Sequence, residues 1–277
     1  MIAVRVCAAR IPRSFAARVA FACALAGCDL PPAAGGVGAP RITTSSIEPG
    51  ARGFAEHSSR APLWIEFDRL LLPRSVSRAT VQVLTGEVGL TPRVRYDPTR
   101  RRVTIELVSS ELRFDVEYEV RVRQGLTSWD GVASSEARAY RVRFVDRPAE
   151  VERVPTLRRD VAPLLVANCG SPACHGGAHP SMGLDLSSPE GIVRSAVGVV
   201  SVEWPSPSGS VDRGELGWAG FVRISPGEPS ESYLVYKLLG DGPVRGAPMP
   251  RGAQPLTNSE IRVVSAWIAA GARDEPP

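Results

Sequence analysis

The sequence contains no apolar run that approaches the roughly 20 residues a helix needs to cross a bilayer. It also has no serine–histidine–acid set, no phosphate-binding loop and no carboxylate pair with an evident task, so it is predicted not to be an enzyme. Of its 277 residues, 43% are apolar and 22% are charged, as in ordinary globular proteins. These features exclude a polytopic membrane protein, a coiled coil and a fibre, and the length predicts about two domains.

Lysine is almost absent, since Lys237 is the only one among the 33 basic residues. The formal net charge of +4 would suggest a nucleic-acid partner if it belonged to the folded part of the chain. Residues 1–27, however, hold four arginines and no acidic residue, which accounts for the whole excess. No nucleic-acid partner is therefore predicted.

Residues 1–27 have the pattern of an export signal peptide. A basic head precedes a short apolar run over residues 19–27, and small residues stand just before Cys28. The sequence Leu25-Ala26-Gly27-Cys28 resembles the lipobox of bacterial lipoproteins. The resemblance implies acylation of the Cys28 sulfur and anchoring of the exported protein to a bacterial membrane, facing the periplasm or the cell surface. The alternative is an ordinary signal peptide followed by an incidental cysteine.

Residues 28–40 are rich in proline, glycine and alanine and are predicted to be a flexible tether. The tether would hold the folded part of the chain away from the membrane. The remainder divides by its hydrophobic period into residues 41–147 and residues 151–275. We therefore expect two domains of different fold class.

The first domain, residues 41–147, alternates apolar and polar side chains with the period of half-buried strands. The alternation recurs in the stretches 63–67, 81–83, 103–107, 118–122 and 140–144. Turn residues lie between these stretches, so the sequence predicts an all-β antiparallel sandwich. His57 stands alone near a predicted loop and is expected to be a solvated surface residue.

Several stretches of this domain resemble the bacterial Ig-like domains of surface and S-layer proteins. They are Ile47-Glu48-Pro49-Gly50, Ile65-Glu66-Phe67-Asp68, Val103-Thr104-Ile105, Tyr118-Glu119-Val120-Arg121-Val122 and Trp129-Asp130-Gly131. The resemblance implies an Ig-like β-sandwich over residues 41–147. It also implies the role of a spacer or an adhesive module.

The second domain, residues 151–275, begins with a predicted helix. Leu157, Val161, Leu164 and Leu165 recur at helical spacing, and Thr156 before them is a candidate N-cap. The helix leads directly into the cysteine segment of the chain. The two cysteines of that segment are the only ones left when the signal peptide and Cys28 are set aside.

The cysteine segment reads Cys169-Gly170-Ser171-Pro172-Ala173-Cys174-His175-Gly176. A cysteine pair followed by histidine suits covalent haem attachment, because two thiols add to the porphyrin vinyl groups and the histidine supplies an axial nitrogen. The spacer is longer than that of the usual C-x-x-C-H motif, although the Cys174-His175 adjacency is intact. Three other interpretations stay open: a Cys169–Cys174 disulfide, a zinc site that also uses His175 and His179, and a redox-active dithiol.

A haem that carries electrons needs a second axial ligand, and methionine is the usual choice. Only Met182 and Met249 lie beyond the signal peptide. The prolines on both sides of Met249 keep its segment extended, which suits a loop that presents one sulfur to the iron. Met182 follows His175 so closely that it would have to fold back, so Met249 is the favoured ligand.

The last helix of the chain has clear boundary signals. The segment Thr257-Asn258-Ser259-Glu260 has the form of a capping box, and Gly271 stands where a helix would stop. Ile261, Val264 and Ile268 share one face of this helix. We expect this face to pack in the core of the second domain.

Residues 156–273 resemble the planctomycete-type cytochrome c domain. The matching pieces are Cys174-His175-Gly176, Gly183-Leu184-Asp185-Leu186, residues 223–230, residues 232–234, Lys237-Leu238, Pro248-Met249-Pro250, Leu256 and residues 267–272. The resemblance implies a mainly α cytochrome c-like fold with one covalently attached haem c. It also implies that Cys169 and Cys174 are the attachment residues, that His175 is the proximal ligand and that Met249 is the distal ligand.

The sequence as a whole predicts a membrane-anchored c-type cytochrome lipoprotein that passes single electrons between a donor and an acceptor protein in the bacterial envelope. An iron with both axial positions filled has no open site for a substrate, which is the reason to expect no catalysis. One alternative is a haem-free adhesion or scaffold lipoprotein with a Cys169–Cys174 disulfide. Another is a peroxidase-like haem enzyme in which Met249 is released.

Overall fold

The computed structural model describes residues 38–149, 152–203 and 221–274, apart from residues 109, 111 and 115. The predicted signal peptide, the predicted lipidation residue Cys28 and most of the predicted tether lie outside the described residues. None of the described helices is both long enough and apolar enough to span a bilayer.

The first domain is built from β-strands, because its apolar side chains alternate. In the described residues the strands are β1 Ile42–Ser45, β2 Ala55–Ser58, β3 Leu63–Phe67, β4 Val81–Thr85, β5 Val88–Gly89, β6 Arg93–Asp97, β7 Arg102–Glu106, β8 Tyr118–Val122 and β9 Arg138–Val145. A short 3-10 helix, Pro73–Ser75, lies between β3 and β4. Four of the five predicted alternating stretches lie on strands, and the fifth, 103–107, extends one residue beyond β7. The alternation did not predict β1, β2, β5 and β6.

The strands form two sheets, one with the order β1-β3-β7-β6 and one with the order β2-β9-β8-β4-β5. All pairs are antiparallel except β2 with β9, which run parallel. The prediction of a wholly antiparallel arrangement is therefore wrong at this edge. The chain crosses from the first sheet to the second between β1 and β2, and it enters beside β9 in the same direction.

The two sheets share one hydrophobic core, which confirms a two-sheet β architecture for the first domain. Strand β3 shows the principle, since Leu63, Ile65 and Phe67 are buried while the residues between them are partly exposed. The corresponding inward side chains of the second sheet are Val81, Val83, Tyr118, Val120, Val122, Tyr140, Val142 and Phe144. Alternation places each of these side chains on the face that meets the other sheet.

His57 differs from its prediction, because it lies on β2 and is half-buried. Its ring contacts Phe144 edge to face, with the ring centroids 6.4 Å apart, and its Nδ1 is 3.0 Å from the Ser58 carbonyl oxygen. Burial lowers the pKa of His57. The sequence around His57 did not show that this residue belongs to a strand, β2, which joins the sheet beside β9.

The second domain is helical. A π-helical turn, Leu157–Val161, leads into α1 Ala162–Cys169, and α2 Pro189–Ala196, α3 Tyr233–Leu239 and α4 Asn258–Ala269 follow. Short 3-10 helices are present at Ser181–Gly183 and Pro229–Glu231. In the described part of this domain only isolated β-bridges occur, and no strand does.

The predicted boundary signals of the helices are confirmed at α4 and are different at α1. Thr257 and Glu260 form the complete capping box, and Gly271 has a φ of 102° just beyond α4. Thr156 occupies the N-cap position of the first helical turn, but its hydroxyl does not accept an amide hydrogen. Instead the Thr156 amide and hydroxyl both donate to the Asp160 carboxylate.

The core of the helical domain forms where α1, α3 and α4 meet. Its fully buried side chains include Leu157, Leu165, Val235, Val264 and Trp267. Burial of Val264 and Trp267 confirms that α4 packs through the predicted face and the neighbouring indole. Cys169, at the end of α1, belongs to the same apolar cluster.

Candidate functional site

The Cys169 side chain lies at the C-terminal end of α1 and is 6% exposed. Burial, followed by the proximity of Cys174, raises the pKa of the Cys169 thiol to about 11. A thiol with this pKa is protonated at neutral pH and is therefore a weak nucleophile. Cys174 is exposed, and both residues are free cysteines.

The cysteine loop, residues 169–176, is closed by backbone hydrogen bonds. The His175 amide donates to the Cys169 carbonyl oxygen over 3.1 Å, and the Cys174 amide donates to Ser171 over 2.9 Å. The four-residue spacer therefore forms a compact turn that returns His175 to the end of α1. The loop is joined to the following segment, because the Leu186 amide donates to the His175 carbonyl oxygen over 2.7 Å.

Two glycines make this tight turn possible. A Cβ atom on Gly170 would lie 2.7 Å from the Leu186 carbonyl oxygen, and a Cβ atom on Gly176 would overlap the Gly170 carbonyl. A side chain at either position would therefore push two backbone segments apart. The requirement for glycine at these sites comes from close backbone approach within the candidate site.

The imidazole of His175 is half-buried and has a defined orientation. Its Nδ1 is 3.2 Å from the Ser181 carbonyl oxygen. A carbonyl oxygen can only accept, so Nδ1 carries the proton in this contact and Nε2 keeps its lone pair. Burial lowers the pKa of His175, the backbone contacts to Ser181 and Leu184 oppose that shift, and the charges of Arg223 and Lys237 add to it.

Met249 lies in the non-helical segment that follows α3, as its flanking prolines predicted. The Met249 amide donates to the Lys237 carbonyl oxygen over 2.9 Å, which fixes the segment to α3. The residue is half-buried. Met182, the competing candidate, is 63% exposed and has a φ of 56° within the 3-10 helix after the cysteine loop.

Two basic residues on or near α3 in the chain, Lys237 and Arg223, hold the Met249 segment and the segment that follows the cysteine loop. Lys237 on α3 holds the Met249 segment, and its charge also acts on His175. Arg223, just before α3 in the chain, donates to the Gly183 carbonyl oxygen over 3.0 Å and to the Met182 carbonyl oxygen. Each segment is therefore hydrogen-bonded to a basic residue whose charge reaches the His175 ring.

The zinc interpretation requires several ligand side chains to converge, and the described residues do not provide this. In the ranges that the structure describes, no group of three or more His, Cys, Asp or Glu side chains could hold a metal ion. His179, the additional ligand considered for zinc, is exposed.

The donor set has the residue types that covalent haem attachment uses, namely two thiols, an imidazole and a thioether. A histidine that ligates a metal commonly donates its other ring nitrogen to a backbone carbonyl, which is the arrangement of His175 with Ser181. The exposed thiol of Cys174 is accessible to a vinyl group, whereas the thiol of Cys169 faces the apolar cluster of the domain. Met249 offers a thioether from a segment that is attached to the fold by its backbone.

Arg223 and Lys237 are the residues to which sequence reasoning assigned no function. Both are buried, with 7% and 6% exposure, although charged side chains are rarely buried without a partner. A signal existed in the sequence, because Lys237 is the sole lysine of a chain that otherwise uses arginine. The single lysine did not lead to a prediction, because composition does not show what a side chain contacts.

No protein-family model matches the chain, and no curated protein matches it. Among solved structures the chain is similar to native alpha-2-macroglobulin from Escherichia coli, spanning domains MG0-NIE-MG1, with 10% sequence identity and a TM-score of 0.29. The similarity covers 43% of this chain and 34% of that chain, so only about a third of the matched structure is spanned.

Proposed function

We propose that this protein is a c-type cytochrome lipoprotein that transfers single electrons in the bacterial envelope. In this proposal the two-sheet domain is an Ig-like spacer, and the helical domain is a cytochrome c-like domain with one haem c. The observation that carries the proposal is the orientation of His175. Its Nδ1 is 3.2 Å from the Ser181 carbonyl oxygen, next to a cysteine loop that closes on Cys169, and a neutral ring with its proton on Nδ1 would offer the Nε2 lone pair to an iron atom.

Four side chains would hold the haem. Cys169 and Cys174 would attach it through thioethers, His175 would bind the iron through Nε2, and Met249 would bind through its sulfur. When bound, the haem supplies an iron that gains and loses one electron. The protein contributes orientation: the Ser181 carbonyl oxygen fixes the imidazole, and the Lys237 carbonyl oxygen fixes the backbone of Met249.

The proposal includes export and anchoring, which rest on residues outside the described part of the chain. The basic head, the short apolar run and the lipobox-like Leu25-Ala26-Gly27-Cys28 support an acylated N-terminus. Several acyl chains would anchor the protein stably, because each buried methylene adds about 0.8 kcal/mol. Replacement Cys28→Ser should move the protein from the membrane to the soluble fraction, and unchanged fractionation would contradict anchoring through Cys28.

Haem attachment is tested by pyridine haemochrome absorbance and intact mass on the full chain, produced in a host that matures c-type cytochromes. We expect one haem per chain and its retention after denaturation, because thioethers survive unfolding. His175→Ala should remove the imidazole ligand and leave Met249 as the remaining axial ligand from the protein, whereas His179→Ala, an exposed histidine of the same region, should leave both ligands in place. A haem-free product that has lost two hydrogens, with a peptide that links Cys169 to Cys174, would refute the electron-transfer proposal and favour the scaffold alternative.

A further inference from the structure

Lys237 is a buried cation whose hydrogen bonds go to the Met249 segment and to Glu203, and its ammonium also lies 5.7 Å from the centroid of the Tyr233 ring. Its ammonium donates to the Arg245 carbonyl oxygen over 2.9 Å and lies 3.0 Å from the Glu203 carboxylate. Its own carbonyl oxygen accepts the Met249 amide over 2.9 Å. Lys237 therefore bonds the segment at two points, Arg245 and Met249, which are four residues apart in the chain.

The same segment is tied by a second set of hydrogen bonds around Tyr233, one turn earlier on α3. The Tyr233 hydroxyl accepts the Arg245 amide over 3.0 Å and donates to the Glu203 carboxylate over 2.7 Å. The Arg245 guanidinium donates to the Glu203 carbonyl oxygen over 3.1 Å. Glu203 thus neutralises Lys237 and joins the network that fixes the start of the Met249 segment.

Arg223 performs the corresponding task on the His175 side. The residue is 7% exposed, and its guanidinium donates to the carbonyl oxygens of Ser195, at 2.7 Å, of Gly183, at 3.0 Å, and of Met182. Within the described ranges no carboxylate lies at ion-pair distance from it, and burial lowers its pKa. The Met182–Gly183 backbone that it holds is continuous with Ser181, whose carbonyl oxygen orients His175.

A buried cation is costly unless its donors are satisfied, so its presence needs a structural reason. Carbonyl groups in exposed loops can be satisfied by water and do not by themselves require a buried charge. Here Lys237 donates to the Arg245 carbonyl oxygen in the segment that leads to Met249, besides its contact with Glu203. Arg223 donates to the Met182 and Gly183 carbonyl oxygens, which adjoin the Ser181 carbonyl oxygen that orients His175.

We propose that Arg223 and Lys237 are positioning residues that brace, through hydrogen bonds, the two segments next to the candidate iron ligands. Arg223 braces the backbone of residues 182–183, beside the Ser181 carbonyl oxygen that orients His175. Lys237 braces the segment from Arg245 to Met249. The purpose of this bracing rests on the proposed function, because the positions of the two segments set the distance between the His175 imidazole and the Met249 thioether. The bracing itself is a property of the chain without haem. It can therefore be measured independently of haem attachment.

The first test is amide hydrogen exchange on the haem-free full chain. Lys237→Met should raise exchange in residues 244–250 by about ten-fold or more and leave residues 181–187 unchanged, because only the first segment loses its support. Arg223→Met should produce the opposite pattern. Arg251→Met, which removes an exposed cation from the Met249 segment, is the matched control and should change neither.

Milder variants keep the test decisive if a methionine variant does not fold. Glu203→Gln leaves Lys237 in place without its counter-charge, and Arg223→Lys leaves one ammonium where three carbonyl oxygens were bonded. We expect a smaller rise in exchange confined to the same segments. Uniform exchange changes across the domain, or none in the segment concerned, would overturn the bracing.

The second test uses the haem-loaded full chain. Lys237→Met should let exogenous imidazole displace the methionine ligand with about ten-fold or greater gain in affinity, because a loosened segment competes less well. Arg251→Met should bind imidazole as the unmodified chain does. A chain that carries no haem in the haemochrome assay refutes the electron-transfer proposal, whereas the exchange experiment still decides whether the two cations brace the loops.

Discussion

At the scale of single residues, the two cysteines of the candidate site are chemically unequal. Cys169 ends α1 inside the apolar cluster, whereas Cys174 is exposed in the turn that follows. The pKa of Cys169 is raised to about 11, chiefly by burial. The two thiols should therefore react in a fixed order, with Cys174 first.

Alkylation of the haem-free chain measures this order. Iodoacetamide at pH 8 should modify Cys174 rapidly and Cys169 at least about ten-fold more slowly, because the thiolate is the reactive form and the Cys169 thiol is buried and protonated. In urea the two rates should become similar. Equal rates in the folded chain, read by peptide mass spectrometry, would contradict the burial of Cys169.

The raised pKa of Cys169 also predicts how stability depends on pH. The folded state favours the protonated thiol, so its contribution to stability is fully present below pH 9, the usual pKa, and is lost as the pH rises through about 11. The loss amounts to about 1–3 kcal/mol. Urea unfolding of the haem-free chain between pH 8 and pH 11 should show this decline, and Cys169→Ala should remove that part of it.

At the scale of elements, the cysteine loop depends on glycine more than on its side chains. Gly170 and Gly176 lie where two stretches of backbone touch, and both positions lack room for a Cβ atom. The loop is held by its own amides, since His175 donates to Cys169 and Cys174 donates to Ser171. The glycines thus make the four-residue spacer compatible with a closed turn.

Gly176→Ala should destabilise the folded chain by about 1–3 kcal/mol, because the added methyl group overlaps the Gly170 carbonyl and forces the turn open. Urea unfolding followed by circular dichroism measures the change. Gly89→Ala is the matched control, since Gly89 is exposed on β5 with nothing within 4 Å of its Cβ position. A Gly176→Ala chain as stable as the control would show that the turn is not tightly closed.

At the scale of the whole molecule, the two domains share a buried aromatic contact. Phe221 and Tyr236 of the helical domain pack against Trp129 of the two-sheet domain, with ring centroids 6.4 Å and 5.5 Å from the Trp129 ring. Leu70 belongs to the same cluster. The two domains therefore bury apolar surface against each other.

Polar contacts extend this interface along β6 and α4. The Ser265 hydroxyl donates to the Asp97 carboxylate over 3.0 Å, and the Arg95 guanidinium donates to the Ala269 carbonyl oxygen over 3.3 Å. Arg93 lies 3.6 Å from Glu228 in an exposed ion pair, which adds little to stability. The buried cluster and the two hydrogen bonds are therefore expected to couple the domains.

The haem-free chain should unfold in one cooperative transition seen alike by circular dichroism and by hydrogen exchange in both domains. Tyr236→Ala should lower the free energy of unfolding by about 3–5 kcal/mol and separate the two domains into distinct transitions, since it removes a fully buried side chain of the interface. Val88→Ala, at an exposed position, should change neither. Two separate transitions in the unmodified chain would contradict domain coupling.

The sequence by itself determined the elements whose signals are local. Alternation predicted β3, β4, β7, β8 and β9, because a half-buried strand must place every second side chain in the core. The capping box of α4 and the extended segment at Met249 were readable for the same reason: neighbouring residues fix the local backbone. The adjacency of Cys174 and His175 also marked the cysteine segment as a candidate site in the sequence.

Only the tertiary structure decided which distant parts of the chain meet. It placed β2 parallel to β9, buried His57 against Phe144, and joined the domains through Trp129. It also directed the charge of Arg223 towards the Gly183 carbonyl oxygen and the charge of Lys237 towards the Arg245 carbonyl oxygen. Periodicity shows which face of an element is buried. It does not show which backbone carbonyl groups a buried charge will bond, and for Arg223 these groups lie 28 to 41 residues away in the chain.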